Sequence, residues 1–307
     1  MPQSPPTPLL IEAAEAMSAL NAGEARAMDA SFCLPTAPKM ALVKYQSARL
    51  PHALFFDIEA IADPDSPLPH TMPSPQVFAQ HLQRLGISGD DWLIVYDDTE
   101  FLSAARAWWM LRHFGHDKVS VLNGGLRAWR EAGGKIESGT PPPPATTTSP
   151  ANSTSKPIPS DADALVTLAD MQKIIATPPP DRRQQILDAR GSTRFNGHSP
   201  EPREGIASGH MPGALNCPMG EFLDAETGKL KPKKTLAAIL VKCGVDMAKP
   251  VVTTCGSGIT ACGLAFVLAV VGKHDVRLYD GSWSEWGAAH QDRTQCPIAQ
   301  GPIAQSQ

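Results

Sequence analysis

The 307-residue chain contains no stretch near the roughly 18 consecutive apolar residues that a membrane-spanning helix needs. Its first residues, MPQSPPTPLLIEAAEAM, have neither a basic start nor an apolar core before a cleavage signal, which predicts a cytoplasmic protein without membrane contact. An excess of positive charge is also missing. With 27 basic and 31 acidic side chains the formal net charge is -4, so there is no electrostatic reason to expect nucleic acid as a partner. The six cysteines (Cys33, Cys217, Cys243, Cys255, Cys262 and Cys296) are scattered, without the spacing of a disulfide scaffold. Cys255 and Cys262 are seven apart, not in the close pairs of a zinc site, so no metal is expected, and nothing else in the sequence implies an organic cofactor. What remains, at 42% hydrophobic and 19% charged residues, is the composition of a globular protein long enough for two domains.

One segment stands apart in composition. From Ser138 to Asp163 the chain reads SGTPPPPATTTSPANSTSKPIPSDAD, in which nothing can pack a core and the proline run favours an extended chain. It divides the sequence into an N-terminal domain (1–137), a linker (138–163) and a C-terminal domain (164–307). The tail after Cys296 reads as a second ragged end. The two halves repeat one order of motifs. MDASF and LPHALFFD are echoed by LDARG and SGHMPGALNCP. LIVYDDTEFLSAARAWWML is echoed by VVTTCGSGITACGLAFVLAV, and VSVLNGGLRAW by VRLYDGSWSEW. Short β-branched runs (Leu93 to Tyr96, Val119 to Leu122, Val251 to Thr254, Val276 to Tyr279) alternate with helical stretches such as Ala104 to His113 and Gly258 to Val271. That pattern predicts a duplicated α/β protein, each half a mainly parallel sheet with helices on both faces.

The sharpest chemical feature is Thr254-Cys255-Gly256-Ser257-Gly258-Ile259-Thr260, at the carboxyl end of a predicted strand and the start of a predicted helix. Ligand sites of open α/β sheets lie there. Gly256 and Gly258 allow a tight curl that turns backbone N–H groups inward, and the helix directs its positive end to the same point. A sulfur held there is favoured as thiolate, the nucleophilic form. The matching place in the first half holds Asp97, which offers no thiol nucleophile. Trp108, Trp109 and Trp129 read as core or domain-seam residues.

The loop CGSGIT resembles that of the rhodanese-fold sulfurtransferases, specifically their 3-mercaptopyruvate branch. The resemblance extends over nearly the whole chain, through FFDIEAIADPDSPLPH, RFNGHSPEPREGIASGHMPGALN and DGSWSEW. It implies two tandem rhodanese-like domains, the first without a nucleophile. Thiosulfate-using relatives carry basic residues in this loop, where Gly256 stands here. Phosphatases of the same fold class end the loop in an arginine, where this chain has Ala261, which disfavours that activity. The resemblance further implies that Arg194 and Arg203 clamp the carboxylate and keto oxygen of the donor, as planar guanidinium groups can. Gly256, Gly258, Ile259 and Thr260 then complete the substrate loop. It implies a proton relay from Ser257 to His70 and Glu59, both placed in the first domain, with Asp63 the second choice for the carboxylate. Asp188 and Arg190 read as structural, and His210 as a turn-fixing histidine.

The expected activity is therefore transfer of sulfur from 3-mercaptopyruvate through a Cys255 persulfide to a thiol such as thioredoxin, or to cyanide. The expected protein is a monomer or weak oligomer. Two alternatives are a thiosulfate sulfurtransferase and a non-catalytic module that carries or senses sulfur.

Overall fold

The computed structural model describes residues 7–33, 40–141 and 162–302. Most of the proline-rich linker expected from sequence lies outside the described residues. The chain forms two compact units, and their division is not a single cut. The first comprises Met1–Pro64, Met72–Asp161 and Ala225–Leu230; the second comprises Asp65–Thr71, Ala162–Asp224 and Lys231–Gln307. Ala225–Leu230 joins the first because Lys229 Nζ pairs with Glu12 at 2.7 Å and the Leu230 amide donates to Asn123 Oδ1 at 2.8 Å.

The first unit contains strands β1 (Leu10–Ile11), β2 (Ala25–Asp29), β3 (Leu54–Phe55), β4 (Trp92–Tyr96) and β5 (Val119–Leu122). Its helices are α1 (Ala13–Asn21), α2 (Met40–Ser47), α3 (Ile58–Ile61), α4 (Pro75–Arg84), α5 (Ala104–His113) and α6 (Gly125–Glu131). The second contains β6 (Leu165–Val166), β7 (Gln185–Asp188), β8 (Leu215–Asn216), β9 (Val251–Thr254) and β10 (Val276–Tyr279). Its helices are α7 (Leu168–Ala176), α8 (Ser192–Phe195), α9 (Lys233–Lys242), α10 (Ile259–Val271) and α11 (Ser282–Trp286).

Each sheet has five strands, all paired in parallel, in the orders β1-β5-β4-β2-β3 and β6-β10-β9-β7-β8. The second order is the first with every strand advanced by five. Parallel neighbours need crossover connections, which is why helices alternate with strands in both units. The duplication seen in the motif order is thus a duplication of topology.

The middle strands explain the rigidity of the sites they carry. Leu93 to Tyr96 of β4 and all of β9 are buried, as strands covered on both faces require. Each such aliphatic side chain contributes on the order of 1.5–3 kcal/mol by leaving water. Helix α10, ITACGLAFVLAVV, is almost wholly apolar and, apart from half-buried Thr260, buried from Ile259 to Leu268, so it is an interior element whose N-terminus has little freedom. Trp108, Trp109 and Trp129 are buried, as expected from sequence. The chain end is not ragged through residue 302. Ala299 makes a reciprocal backbone pair with His210 at 2.9 Å, Gly301 N–H reaches Asn196 O at 2.9 Å, and Ile298 packs on the core. Cys296 is buried and anchors this stretch.

Candidate active site

Strand β9 ends at Thr254, helix α10 starts at Ile259, and the four residues between them form the corner. Gly258 has φ +84°, a left-handed conformation that allows the chain to enter the helix and that a side chain would strain. The first-turn amides of α10 have no acceptor within the helix, so the corner concentrates donors and the positive helix end around Cys255. Cys255 is 2% exposed. Its backbone is tied down at both ends: its N–H donates to Ser282 Oγ at 3.2 Å, and its carbonyl accepts from Trp283 N–H at 2.9 Å. The next carbonyl, of Gly256, accepts from both Ser284 N–H (2.8 Å) and Ser284 Oγ (2.7 Å). Helix α11 therefore grips the outside of the loop. Ile259 turns its side chain into the core, leaving its amide for the loop, while Thr260 is half-buried in the first turn of α10.

Ser257 and His70 share a hydrogen bond of 3.0 Å, Oγ to Nδ1. Both are buried, and His70 has φ +61°. A non-glycine residue in that region costs about 1–3 kcal/mol and marks a position held by its surroundings. His70, which lies within the N-terminal half of the sequence, packs with the second unit as part of Asp65–Thr71, so His70 and Ser257 are neighbours inside one unit. Glu59 and Asp63 belong to the first unit. Glu59 is exposed in the first turn of α3, and Asp63 is half-buried beyond its end.

A chain of buried charge runs into the loop from the other side. Asp188 closes β7 and binds the Arg190 guanidinium through both oxygens, the shortest contact being 2.7 Å. Arg190 also donates to Gly209 O at 2.9 Å, stacks over the Trp283 ring at 4.2 Å and meets Glu201 at 2.8 Å. Glu201 uses its second oxygen on Arg194 Nη2. Burial works against the Arg190 charge, yet Asp188 and Glu201 hold its pKa above the ordinary value. Asp188, Arg190 and Glu201 are at most 4% exposed in their side chains, whereas Arg194 is 30% exposed, so the network opens to solvent only at that end. A Cβ built on Gly256 would lie 3.2 Å from Arg194 Nη2, which places the guanidinium directly over the loop. Arg194 Nε is buried and has no hydrogen-bond partner. Arg203 sits half-buried in the same segment, past Glu201.

His210 fixes the helix that carries Arg194. Its ring stacks on Phe195 of α8 at 3.9 Å, and its Nδ1–H donates to the Phe195 carbonyl at 2.9 Å. Burial lowers its pKa below the ordinary histidine value. Sequence reasoning missed Glu201, Ser282 and Ser284. The first lies between two arginines in RFNGHSPEPR, and a carboxylate between two cations is a readable sign. The two serines lie in DGSWSEW, distant in sequence from the cysteine they hold.

Several comparisons bear on this arrangement. The rhodanese-like domain family matches residues 12–132 and again 167–289. The chain is 43% identical over 245 residues to the 3-mercaptopyruvate sulfurtransferase of Escherichia coli K12, covering 80% of this chain and 82% of that one. It is 39% identical over 276 residues to the human protein of the same name, covering 89% of each. Its fold matches the crystal structure of SseA from Escherichia coli with a TM-score of 0.76 at 36% identity, over 91% of this chain and all of that one. It also matches the sulfur transferase subunit of yeast mitochondrial complex I, with a TM-score of 0.80 at 32% identity, over 96% of this chain and all of that one. Two parallel sheets of one strand order, a cysteine loop at the carboxyl end of the fourth strand of the second sheet, and these likenesses over most of the chain make it a member of the rhodanese family, with the domain present twice.

Proposed function

We propose that this chain is a 3-mercaptopyruvate sulfurtransferase that works through a persulfide on Cys255. The observation that carries the reading is the Arg194 guanidinium lying over Gly256, one residue from Cys255. A carboxylate bound there brings its neighbouring atoms to the cysteine. Arg194 already shares its charge with Glu201, so the site suits a monoanion such as 3-mercaptopyruvate better than the thiosulfate dianion. An arginine at position 256 would have to displace Arg194.

In the first half-reaction the Cys255 thiolate attacks the sulfur of 3-mercaptopyruvate. The S–S bond forms, the C–S bond breaks, and its electron pair passes into the carbonyl as the enolate of pyruvate. Arg194 and Arg203 hold the carboxylate and keto oxygen. Ser257 and His70 handle the proton that the enolate takes up, with a carboxylate behind His70. Glu59 is assigned that place and Asp63 is the alternative. In the second half-reaction an acceptor thiolate, such as that of reduced thioredoxin, attacks the outer sulfur and releases Cys255 as thiolate. Cyanide serves the same step and leaves as thiocyanate. Covalent catalysis of this kind gives double-displacement kinetics. A reducing compartment such as the cytoplasm suits the chain's free thiols. A monomer or weak oligomer suffices for the reaction.

The test is pyruvate release from 3-mercaptopyruvate with a thiol acceptor, run beside thiosulfate with cyanide. The expected result is fast turnover of the first donor and slow turnover of the second. The reverse preference would move the chain to the thiosulfate branch, and activity with neither would make it a sulfur-carrying module.

A further inference from the structure

We infer that Ser282 is a positioning residue for Cys255, an inference that rests on Cys255 being the nucleophile. After β10 the chain turns through Asp280, Gly281 and Ser282 into α11. Ser282 is completely buried and has φ +50°, a conformation that residues with a Cβ rarely adopt. The first unit has the same corner after β5, through Asn123, Gly124 and Gly125. There Gly125 has φ +55°, and the following amide, of Leu126, donates to the Asp97 carbonyl at 2.9 Å. In the second unit the following amide, of Trp283, donates to the Cys255 carbonyl at 2.9 Å. The two corners agree in the positive φ at this residue and in the hydrogen bond that follows it, and differ one residue earlier, where Gly124 has φ +78° and Gly281 φ −60°. Glycine is the residue the backbone favours, and a Cβ at Gly125 would collide with the Asp97 carbonyl.

The second unit accepts the strained conformation and gains one hydroxyl. The proton of that hydroxyl is assigned by its partners. The Tyr279 carbonyl, at 2.9 Å, can only accept, so Ser282 Oγ–H points there; the Cys255 amide, at 3.2 Å, can only donate, so it meets the oxygen's lone pairs. Cys255 is thereby held by its amide and its carbonyl together, which fixes the direction of its Cα–Cβ bond. In the first unit the acidic side chain is itself pinned, because Asp97 Oδ2 accepts from Ala104 N–H and Ser103 Oγ. A nucleophilic sulfur cannot be pinned in that way and still attack. Its peptide can be, and reaction rates respond steeply to displacements of the order of 1 Å.

The inference is tested with Ser282→Gly and Ser282→Ala, each assayed for single-turnover pyruvate release, steady-state kinetics and Tm. Ser282→Gly removes the hydroxyl and relieves the backbone, so Tm should be held or raised while kcat falls about tenfold or more, about 1.4 kcal/mol in the barrier. KM for 3-mercaptopyruvate should stay within about twofold, because neither arginine is touched. Ser282→Ala loses the same hydroxyl but keeps the strained Cβ, so it should share the kcat of Ser282→Gly despite a lower Tm. Rate would then follow the hydroxyl and stability the Cβ. Wild-type kcat in Ser282→Gly would overturn the inference, as would activity that simply tracks Tm across the two variants. Cys255→Ala belongs in the same experiment: turnover surviving in it would sink the underlying reading, whereas an inactive Cys255→Ala beside a fully active Ser282→Gly would sink only the role of Ser282.

Discussion

Strands β4 and β9 occupy the same place in sheets of the same order, and each runs into a loop and a buried helix. In the first unit the loop spans Asp97 to Ser103, and the Asp97 carboxylate takes the amide of Ala104 at 2.6 Å, at the start of α5. In the second unit the loop is shorter, Cys255 to Gly258, and ends on a glycine at the start of α10. One corner satisfies its helix N-terminus with its own fixed anion. The other places no carboxylate there, which in the proposed mechanism leaves that positive end to the Cys255 sulfur and the persulfide formed on it. The fold thus supplies an anion site twice, and the side chain at one position decides whether the site is plugged or open.

The largest test of that contrast is to exchange the decisive side chains. Cys255→Ala should abolish sulfur transfer, with kcat down by about 10³-fold or more, the scale on which losing a covalent nucleophile is felt. Asp97→Cys should gain no activity in a Cys255→Ala background, because Arg194 and the Ser257–His70 pair belong to the second unit. Sulfur transfer by that double variant, measured as thiocyanate from 3-mercaptopyruvate and cyanide, would break the comparison.

The next tests probe the surroundings that make the open corner reactive. Ser257→Ala removes the hydroxyl that His70 meets at 3.0 Å and should lower kcat by about 10²-fold, the low end of what a positioned acid or base supplies. Its effect should be confined to pyruvate release, which single-turnover mixing isolates from acceptor transfer. Replacing the carboxylates one at a time, Glu59→Gln and Asp63→Asn, should assign the partner of His70: a similar loss in one variant and a near wild-type rate in the other. Arg194→Ala should act differently, raising KM for 3-mercaptopyruvate by about 10- to 100-fold, since it removes the carboxylate's partner and leaves Glu201 buried with one cation fewer. An Arg194→Ala enzyme with unchanged KM would remove the main support for the donor assignment.

The sequence made one half of this picture readable and hid the other for a physical reason. The motif order betrayed the duplication, because strand and helix patterns are local. Cys255 and Asp97 stood out because each ends a buried β-branched run. Which unit His70 packs with could not be read from sequence, because packing depends on which surfaces a loop meets, and Asp65–Thr71 follows the first unit in sequence while packing with the second. Glu201 and Ser282 were missed because their roles exist only after folding, when Glu201 reaches two arginines and a strained serine 27 residues on from Cys255 receives its amide. The one available hint at Ser282 was its alignment with Gly125, a glycine replaced where the backbone wants one.

The smallest expected effect sharpens the comparison from the plugged side. Burial raises the Asp97 pKa to about 6 despite hydrogen bonds from Ala104 and Ser103, and burial likewise raises nearby Asp29 to about 6. In the unfolded chain both titrate near 3.8. The folded state therefore binds more protons than the unfolded state between those values. The stability these groups contribute is present below pH of about 4 and is lost as pH rises through about 6, a span of two pK units worth about 3 kcal/mol for an independent group. Asp97→Asn keeps an acceptor for Ala104 N–H and Ser103 Oγ but cannot ionise, so it should lose part of that slope. The measurement is Tm from pH 4.5 to 8 for both proteins. The difference between them isolates Asp97 from carboxylates of opposite sign, such as Glu12 and Asp170, whose pKa values are lowered in the fold. The variant should gain stability relative to the wild type as pH rises, by a few degrees in Tm, with sulfur transfer unchanged. A parallel pair of curves would mean that the first unit's carboxylate is no strained plug, and the contrast between the two corners would then rest on Cys255 alone.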